Sequence, residues 1–578
     1  MASSTPLWYS IPEWYGIQQQ VDGTLLPVTS AYDARNMETG DGNLSVARGF
    51  IKSIFTAVPG TERILKLIAV QGNDTFYVVT SKYIYAWVYE NSEWSWKTIY
   101  TFSPELTTLQ VDALQTRVGA DDTIIVATGD SQMVKINTGT NTATTFGAGL
   151  YSYEGQVATW DDDSQTLTVG TALGSEAQRR ALAYGLYYGN SSDEYQFYAE
   201  VYDISDDGLT ITLSGALVEP PAVGTYLAVQ GGASEAQTAY VELYSNRLFA
   251  AGDPDNPFRL YWSAVPGDGR TIEDWISVDG SYDASGGYVE VGDGSADRII
   301  GLTALSNQLL IWKTYSVWRL YGDRPSNYTL ERIDKNSDIM SNAGVVVKYD
   351  APYLLMPTGI HTYNNVSVVP VDNGVKPLRR FFEQSPDVSN SRSAVWDNRF
   401  YMTCKVPTTP AATYDNAIIV FDVARNAYMI RDGFEVADIA AIGSHIYMIN
   451  GSRYVYEFEV GDSYDGQPIS AYWLTQPTDF SKKMYRHQAM AIYSHITGDP
   501  VKVTVYGDYL DHSKSVTPLT ARAGYTTMRF QTDQQYFIQF KFENTVITET
   551  EGGVTTTRGG VWTMHGGVNV YVLSELKL

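Results

Sequence analysis

The sequence predicts an all-β protein: a β-propeller of about seven blades, interrupted by an inserted β-rich domain and followed by a β-sandwich-like module. Composition, a recurring turn-and-strand unit and the spacing of that unit each point to this class. Of 578 residues, 44% are apolar and 13% aromatic, with 43 tyrosines, and only 18% are charged. Strand-formers dominate such a mixture. A chain of this length exceeds one ordinary core and divides into two or three cooperating domains.

A polar turn runs into a short apolar strand at residues 73–79, 121–127, 246–250, 307–312, 350–356, 397–402 and 444–449. A second strand follows each copy, at 83–88, 133–136, 259–262, 317–321, 360–363, 418–421 and 454–458, so the unit is a β-meander. The copies start 48, 125, 61, 43, 47 and 47 residues apart. All but the second step approach the roughly 40 to 50 residues of a four-stranded blade. Radial repetition lets many short strands coexist, because it leaves only short sheet edges and covers both faces of most blades.

In chain order, residues 1–55 read as an extended N-terminal segment, and 56–147 with 239–462 as the propeller. The long second step exceeds a blade by about 80 residues, which places the inserted domain at 148–238. Its expected elements are strands at 165–169, 195–202, 209–213 and 226–229 and one helix at 175–183. Beyond about residue 462 the repeat is lost. Strands at 469–474, 490–493, 501–506, 536–542 and 568–572 predict a β-sandwich-like domain over 463–578.

Sixty-five acidic against 40 basic side chains give a formal net charge of -25, which opposes binding to phosphate backbones and anionic lipid and argues against a nucleic-acid reader. Cys404 is the only cysteine, so no intrachain disulfide forms, and it reads as a small strand residue. The N-terminus lacks the basic and apolar runs of a secretory signal, and no stretch is long and apolar enough to span a membrane; synthesis in the cytoplasm is expected.

Motifs of chemistry are sparse. His361, His445, His487, His495, His512 and His565 are scattered without metal-ligand spacing, and no nucleophile elbow, phosphate loop or dinucleotide fingerprint occurs. The acidic loops 160–164 and 292–297 supply carboxylates but do not complete a calcium loop, and solvated turns are the favoured reading. Residues 205–210 resemble an Asp box one residue short and read as a hairpin turn. A glycosidase needs only two placed carboxylates, so a glycan-cleaving protein stays as an alternative class.

Residues 30–50, containing Asn36-Met37, an acidic turn and Arg48-Gly49-Phe50, resemble the opening of phage tail proteins. The order continues through Ser245-Asn-Arg-Leu-Phe-Ala-Ala-Gly252, Leu260-Tyr-Trp-Ser-Ala264, Asp274-Trp275, Gly292-Asp-Gly294, 305–313 and 316–322. It extends through Gly344-Val-Val-Val347 and 354–363 to 465–473. The chain thus resembles, over about residues 30–473, the β-propeller tail structural proteins of tailed bacteriophages, of the tail nozzle or tail tube protein B type. The resemblance implies a virion component of the tail: a homo-oligomeric ring around the DNA ejection channel, contacting an adaptor or portal on one side and fibres or a plug on the other. DNA is expected only as passing cargo. The resemblance carries over no catalytic, cofactor-binding or metal-binding residue. A receptor-binding or glycan-binding propeller is the alternative expectation.

Overall fold

The computed structural model describes residues 5–19, 25–70, 75–147, 151–189, 196–216, 220–230, 237–267, 269–275, 283–292, 297–334, 341–372, 376–407, 414, 416–508, 519–521, 524–529, 531–551 and 554–576. The protein is all-β, built of antiparallel sheets with one helix of more than a single turn among the described residues. It forms two compact units, Met1–Tyr77 with Ala343–Leu578, and Val78–Asn342.

The unit Val78–Asn342 holds three four-stranded meanders: Asp112–Val118 to Thr142–Thr145, Tyr240–Tyr244 to Gly287–Glu290, and Ile299–Leu305 to Thr329–Asp334. Their first strands lie side by side. Between the first two meanders runs a seven-stranded sheet from Tyr151–Asp161 to Tyr226–Gln230, covered by the helix Ser175–Tyr184. This sheet and helix have their own apolar core, with Leu167, Ala181, Leu186, Ile211 and Leu227 fully buried.

The other unit holds the meanders Val345–Lys348 to Val368–Pro370 and Ser393–Trp396 to Ala427–Asp432. A third sheet pairs Asp438–Ile442, His445–Ile449 and Val455–Phe458, then takes Phe50–Lys52 as its next strand. A sheet of the same order, Ile64–Val70, Thr75–Thr80, Tyr83–Glu90 and Glu93–Thr101, carries the chain from one unit into the other.

The repeated unit of the sequence occupies the second and third strands of each such sheet. The second strands Thr75–Thr80, Arg247–Ala251 and Gln308–Lys313 are buried at every position. A strand covered on both faces is selected for a continuous apolar run, not for alternation. The polar turns before several of them need two left-handed residues in succession. Ser245-Asn246 (φ 49° and 61°), Tyr349-Asp350 (52° and 61°) and Asp397-Asn398 (47° and 60°) supply them, the geometry that matches strand twist in a two-residue hairpin.

The N-terminal stretch is not an extended segment. It gives Thr5–Ile11, Met37–Gly40 and Asn43–Val46 to a six-stranded sheet with Trp562–Leu576, Tyr485–Gly498 and Gly524–Arg529. Ala31–Arg35 joins the five-stranded sheet of Tyr472–Thr475, Ile538–Asn544, Val501–Gly507 and Leu519–Ala521. The two sheets enclose one core in which Trp14 meets Trp473 and Phe542 edge to face at 5.5 and 5.7 Å. The physical reason is period-two alternation: Leu7, Tyr9 and Ile11 turn to the core while Pro6, Trp8 and Ser10 face out. A separate two-stranded hairpin, Val546–Glu551 with Val554–Gly559, is fastened at its base by the Arg558–Asp499 ion pair at 2.5 Å.

Candidate functional site

The residues singled out from the sequence do not converge. The Cys404 thiol is buried, and burial pushes its pKa well up, away from thiolate chemistry. His361 lies against the Gly359 carbonyl at 3.2 Å and His487 against Ser574 Oγ at 2.9 Å; burial lowers the pKa of both. His445 Nδ1 meets Glu457 at 2.6 Å on the surface. His495 and His565 do meet, directly opposite one another across two strands with ring centroids 4.8 Å apart, and Thr497 Oγ1 lies 2.8 Å from His565 Nε2. His512 lies outside the described residues. Among those residues no three His, Cys, Asp or Glu side chains are grouped as metal ligands would be.

The acidic loops serve their own turns. Asp161 accepts the Asp163 amide at 3.1 Å, and the Ser164 hydroxyl and that amide hold its carboxyl below the usual range. Residues 293–296 of the other loop lie outside the described part, while Asp297 accepts the Tyr315 amide at 2.7 Å and the Ser316 hydroxyl. In the 205–210 hairpin, Asp207 accepts the Ser205 hydroxyl at 2.6 Å and the Leu209 amide at 3.0 Å. Sequence reasoning passed over Glu242, on the strand Tyr240–Tyr244. Burial, aided by the charge of Asp112, pushes its carboxyl up to about 7. Asp112 itself is held by the Ala113 and Val241 amides and the Asn342 side chain at 2.9 to 3.1 Å.

Several residues of the stretches 30–50 and 245–322 hold backbone joints. Asn36, at φ 53°, donates to the carbonyls of Asp432 (3.0 Å) and Ser470 (2.8 Å) and accepts the Asp432 amide at 2.8 Å. A Cβ on Gly49 would overlap the Ser463 carbonyl. Arg247, fully buried, donates to the carbonyls of Ser263 (2.6 Å), Ser285 (2.8 Å) and Asp283. Lys313, also buried, donates to the Val291 carbonyl at 2.7 Å. Asp274 takes Arg179 at 2.9 Å and Arg180 at 3.4 Å, fixing the helix Ser175–Tyr184 to the loop before Trp275.

Several clusters of aromatic rings are partly exposed, among them Tyr187, Tyr188, Phe197 and Tyr198 on the seven-stranded sheet and the two described next. On the outer face of the six-stranded sheet Trp8, 56% exposed, packs at 4.9 Å against both Tyr493 and Tyr571. On the hairpin Tyr83–Glu90 to Glu93–Thr101, Trp87 stands opposite Trp96 and Tyr89 opposite Trp94, forming a cross-strand ladder whose Tyr89 and Trp94 are 59% and 42% exposed. Cross-strand aromatic pairs stabilise an edge hairpin; their exposure also makes them contact surfaces. Among the described residues no helix is long and apolar enough to cross a membrane.

No family model and no curated protein matches the chain. Among solved structures, the computationally designed Ika8 protein is 10% identical, over 72% of this chain and 100% of its own, with a TM-score of 0.36. BamB from Moraxella catarrhalis is 10% identical, over 71% of this chain and 98% of its own, at 0.32. Hsv2 of Kluyveromyces lactis is 10% identical, over 64% and 98%, at 0.25.

Proposed function

We propose that the chain is a non-enzymatic structural protein of a tailed-bacteriophage virion, a nozzle-like tail component whose copies ring the DNA ejection channel. In this reading the six four-stranded sheets, with the six-stranded sheet in which Phe50–Lys52 follows Val455–Phe458 as the fourth strand, are the seven blades of one propeller. Residues 148–238 are then an insertion between the second and third blades. Uniform meander order and second strands covered on both faces support the blade assignment.

The observation that carries the functional reading is the employment of the family-like residues. Asn36, Gly49, Arg247, Asp274 and Lys313, in chain order, all hold joints of the scaffold. Joints of this kind fix an architecture, and architecture is what a conduit supplies. Its neighbours are then an adaptor or portal and the fibres or plug, with the protein made in the host cytoplasm and residing in the virion tail. The net charge of -25 suits a wall past which DNA must slide without sticking. Native mass measurement and particle imaging test this reading. A closed ring with a pore wide enough for duplex DNA is the expected result, and a particle that stays monomeric even beside its adaptor overturns it.

A second reading, a receptor-binding or glycan-binding protein, is favoured by the exposed ladder of Trp87, Tyr89, Trp94 and Trp96. Loss of glycan retention in Trp94→Ala would establish it.

A further inference from the structure

We propose that His495, His565 and Thr497 form a surface site for one divalent transition-metal ion of the copper and nickel type. They lie on Tyr485–Gly498 and Trp562–Leu576, the two longest strands of the six-stranded sheet. His565 and Thr497 are exposed and His495 is half-buried. The backbone is irregular at this point. Between the pairs Tyr493–Asn569 and His495–His565 the register shifts, and Gly566 within the bulge has φ 66°. Bulges are over-represented beside active sites, where they re-aim a side chain. This one is fastened on both sides of its peptide unit: the Trp14 indole donates to the Gly566 carbonyl at 2.7 Å, and the Gly566 amide donates to Asn43 at 2.9 Å.

Distances decide what the three groups can hold. A divalent transition metal sits about 2.1 Å from an imidazole nitrogen, and hence about 3.2 Å from the ring centre. The His495 and His565 rings are centred 4.8 Å apart. Sharing one ion, they subtend about 97° at it. Thr497 Oγ1 lies 2.8 Å from His565 Nε2. With each atom about 2.1 Å from the ion, that edge subtends about 84°. Tetrahedral coordination would need separations of about 5.2 and 3.4 Å instead. Both angles belong to neighbouring corners of a tetragonal or octahedral shell, the geometry of Cu(II) and Ni(II). The ion takes the place of the hydrogen between Thr497 and His565, and water fills the remaining corners.

The donor set selects the class of ion. Imidazole suits copper, nickel and zinc, whereas calcium and magnesium take oxygen ligands. The second torsion of a histidine is broad, so a nitrogen of each ring turns toward the gap at little cost. The net charge of -25 draws cations to the surface without supplying a carboxylate to the site. Apolar burial does not account for the meeting of the rings, since neither belongs to the core.

The test titrates the untagged full chain at neutral pH with nickel, copper and calcium chlorides by calorimetry, and records the electron paramagnetic resonance of the copper complex. The wild type should bind one equivalent of nickel or copper and no calcium, with copper hyperfine splitting from two nitrogens. A partner outside the coordination shell is worth about 10- to 100-fold in affinity, so losing a nitrogen inside it costs at least about 10-fold. His495→Ala and His565→Ala should each weaken nickel binding by that factor and remove one nitrogen from the copper spectrum. Thr497→Val should weaken binding less, and His445→Ala, whose imidazole meets Glu457 on the surface, should leave it unchanged. Unchanged circular dichroism verifies that the variants fold. A wild type that binds no nickel, or nickel binding that both His495→Ala and His565→Ala leave at full strength, overturns the inference.

Discussion

Arg431→Met removes the centre of the most deeply buried ionic cluster of its unit. The guanidinium, with no exposed surface, donates from Nη2 to Glu38 at 2.6 Å, from Nε to Glu459 at 3.0 Å and from Nη1 to the Met37 carbonyl at 2.8 Å. Glu38 keeps a second partner, Arg399 at 2.9 Å, whereas Glu459 is left in the interior without its cation. Breaking a buried pair from one side costs about 3–5 kcal/mol, mostly the burden of the orphaned charge. The direction of pH dependence follows. Burial raises the Glu459 carboxyl even with Arg431 attracting its anionic form, and loss of Arg431 raises it further. A carboxyl whose folded pKa exceeds its unfolded value stabilises the fold below the unfolded value, about 4.3, and loses that contribution as pH rises. The deficit of Arg431→Met is therefore larger at pH 8 than at pH 5, and Arg431→Met/Glu459→Met recovers most of it. A chain of two units does not unfold in one step, so the measurement is hydrogen exchange under urea at Met37–Gly40 and Ala427–Asp432. A single variant within about 1 kcal/mol of wild type, or a double variant as weak as the single, refutes the reasoning.

Asp274→Ala should release the helix Ser175–Tyr184, because Arg180, 1% exposed, then keeps only the half-exposed Glu176; faster exchange confined to that helix, at a cost of about 3 kcal/mol, is the expected readout. Glu176 itself, pushed up by burial but held at about 2 by Arg179 and Arg180, contributes stability above its unfolded pKa that is lost only as pH falls toward 2. Glu242→Gln should raise the melting temperature at pH 8 and leave it unchanged at pH 4, since the wild-type carboxyl near 7 loses its protonated-state stabilisation between about 4.5 and 7; equal melts at pH 8 would remove burial as the cause. Gly567→Ala places a Cβ onto the Ile11 carbonyl and should expose the strand Thr5–Ile11 to protease. An N-terminus as resistant as wild type would contradict its pairing with Trp562–Leu576.

How much of this was legible in the sequence depends on the distance over which each strand finds its partner. The meanders pair within about 50 residues, and their doubly covered second strands leave unbroken apolar runs such as Leu309-Leu-Ile-Trp312. The turn residues Ser245-Asn246 and Asp397-Asn398 mark them further, because few side chains tolerate two left-handed residues in a row. The N-terminal strands pair instead with residues more than 400 positions away, Thr5 with Ser574 and Ala31 with Thr475. Their alternation was present in Leu7, Tyr9 and Ile11, but nothing local names a partner, and the exposed Trp8 blurs the pattern. The same limit hid the meeting of His495 with His565 and of Asp274 with Arg180, both brought together only by long-range folding.

The residues quoted for the resemblance and the titratable candidates are separate sets in this chain. In an enzyme, residues recognisable across a long stretch of sequence converge on a cavity with perturbed ionisation. Here Asn36, between the strands Ala31–Arg35 and Met37–Gly40, bonds Asp432 and Ser470, Gly49 admits the Ser463 carbonyl, and Arg247, fully buried, gathers three carbonyls. Each satisfies buried backbone groups that would otherwise cost about 1–3 kcal/mol apiece, so each is constrained by folding alone. Surfaces face no such constraint, and it is on them, at Trp8 and along the Trp87 to Trp96 ladder, that the chain spends apolar area without protection from water. Asn36, Gly49 and Arg247 are thus internal joints, while Trp8, Tyr89 and Trp94 leave apolar area on the surface.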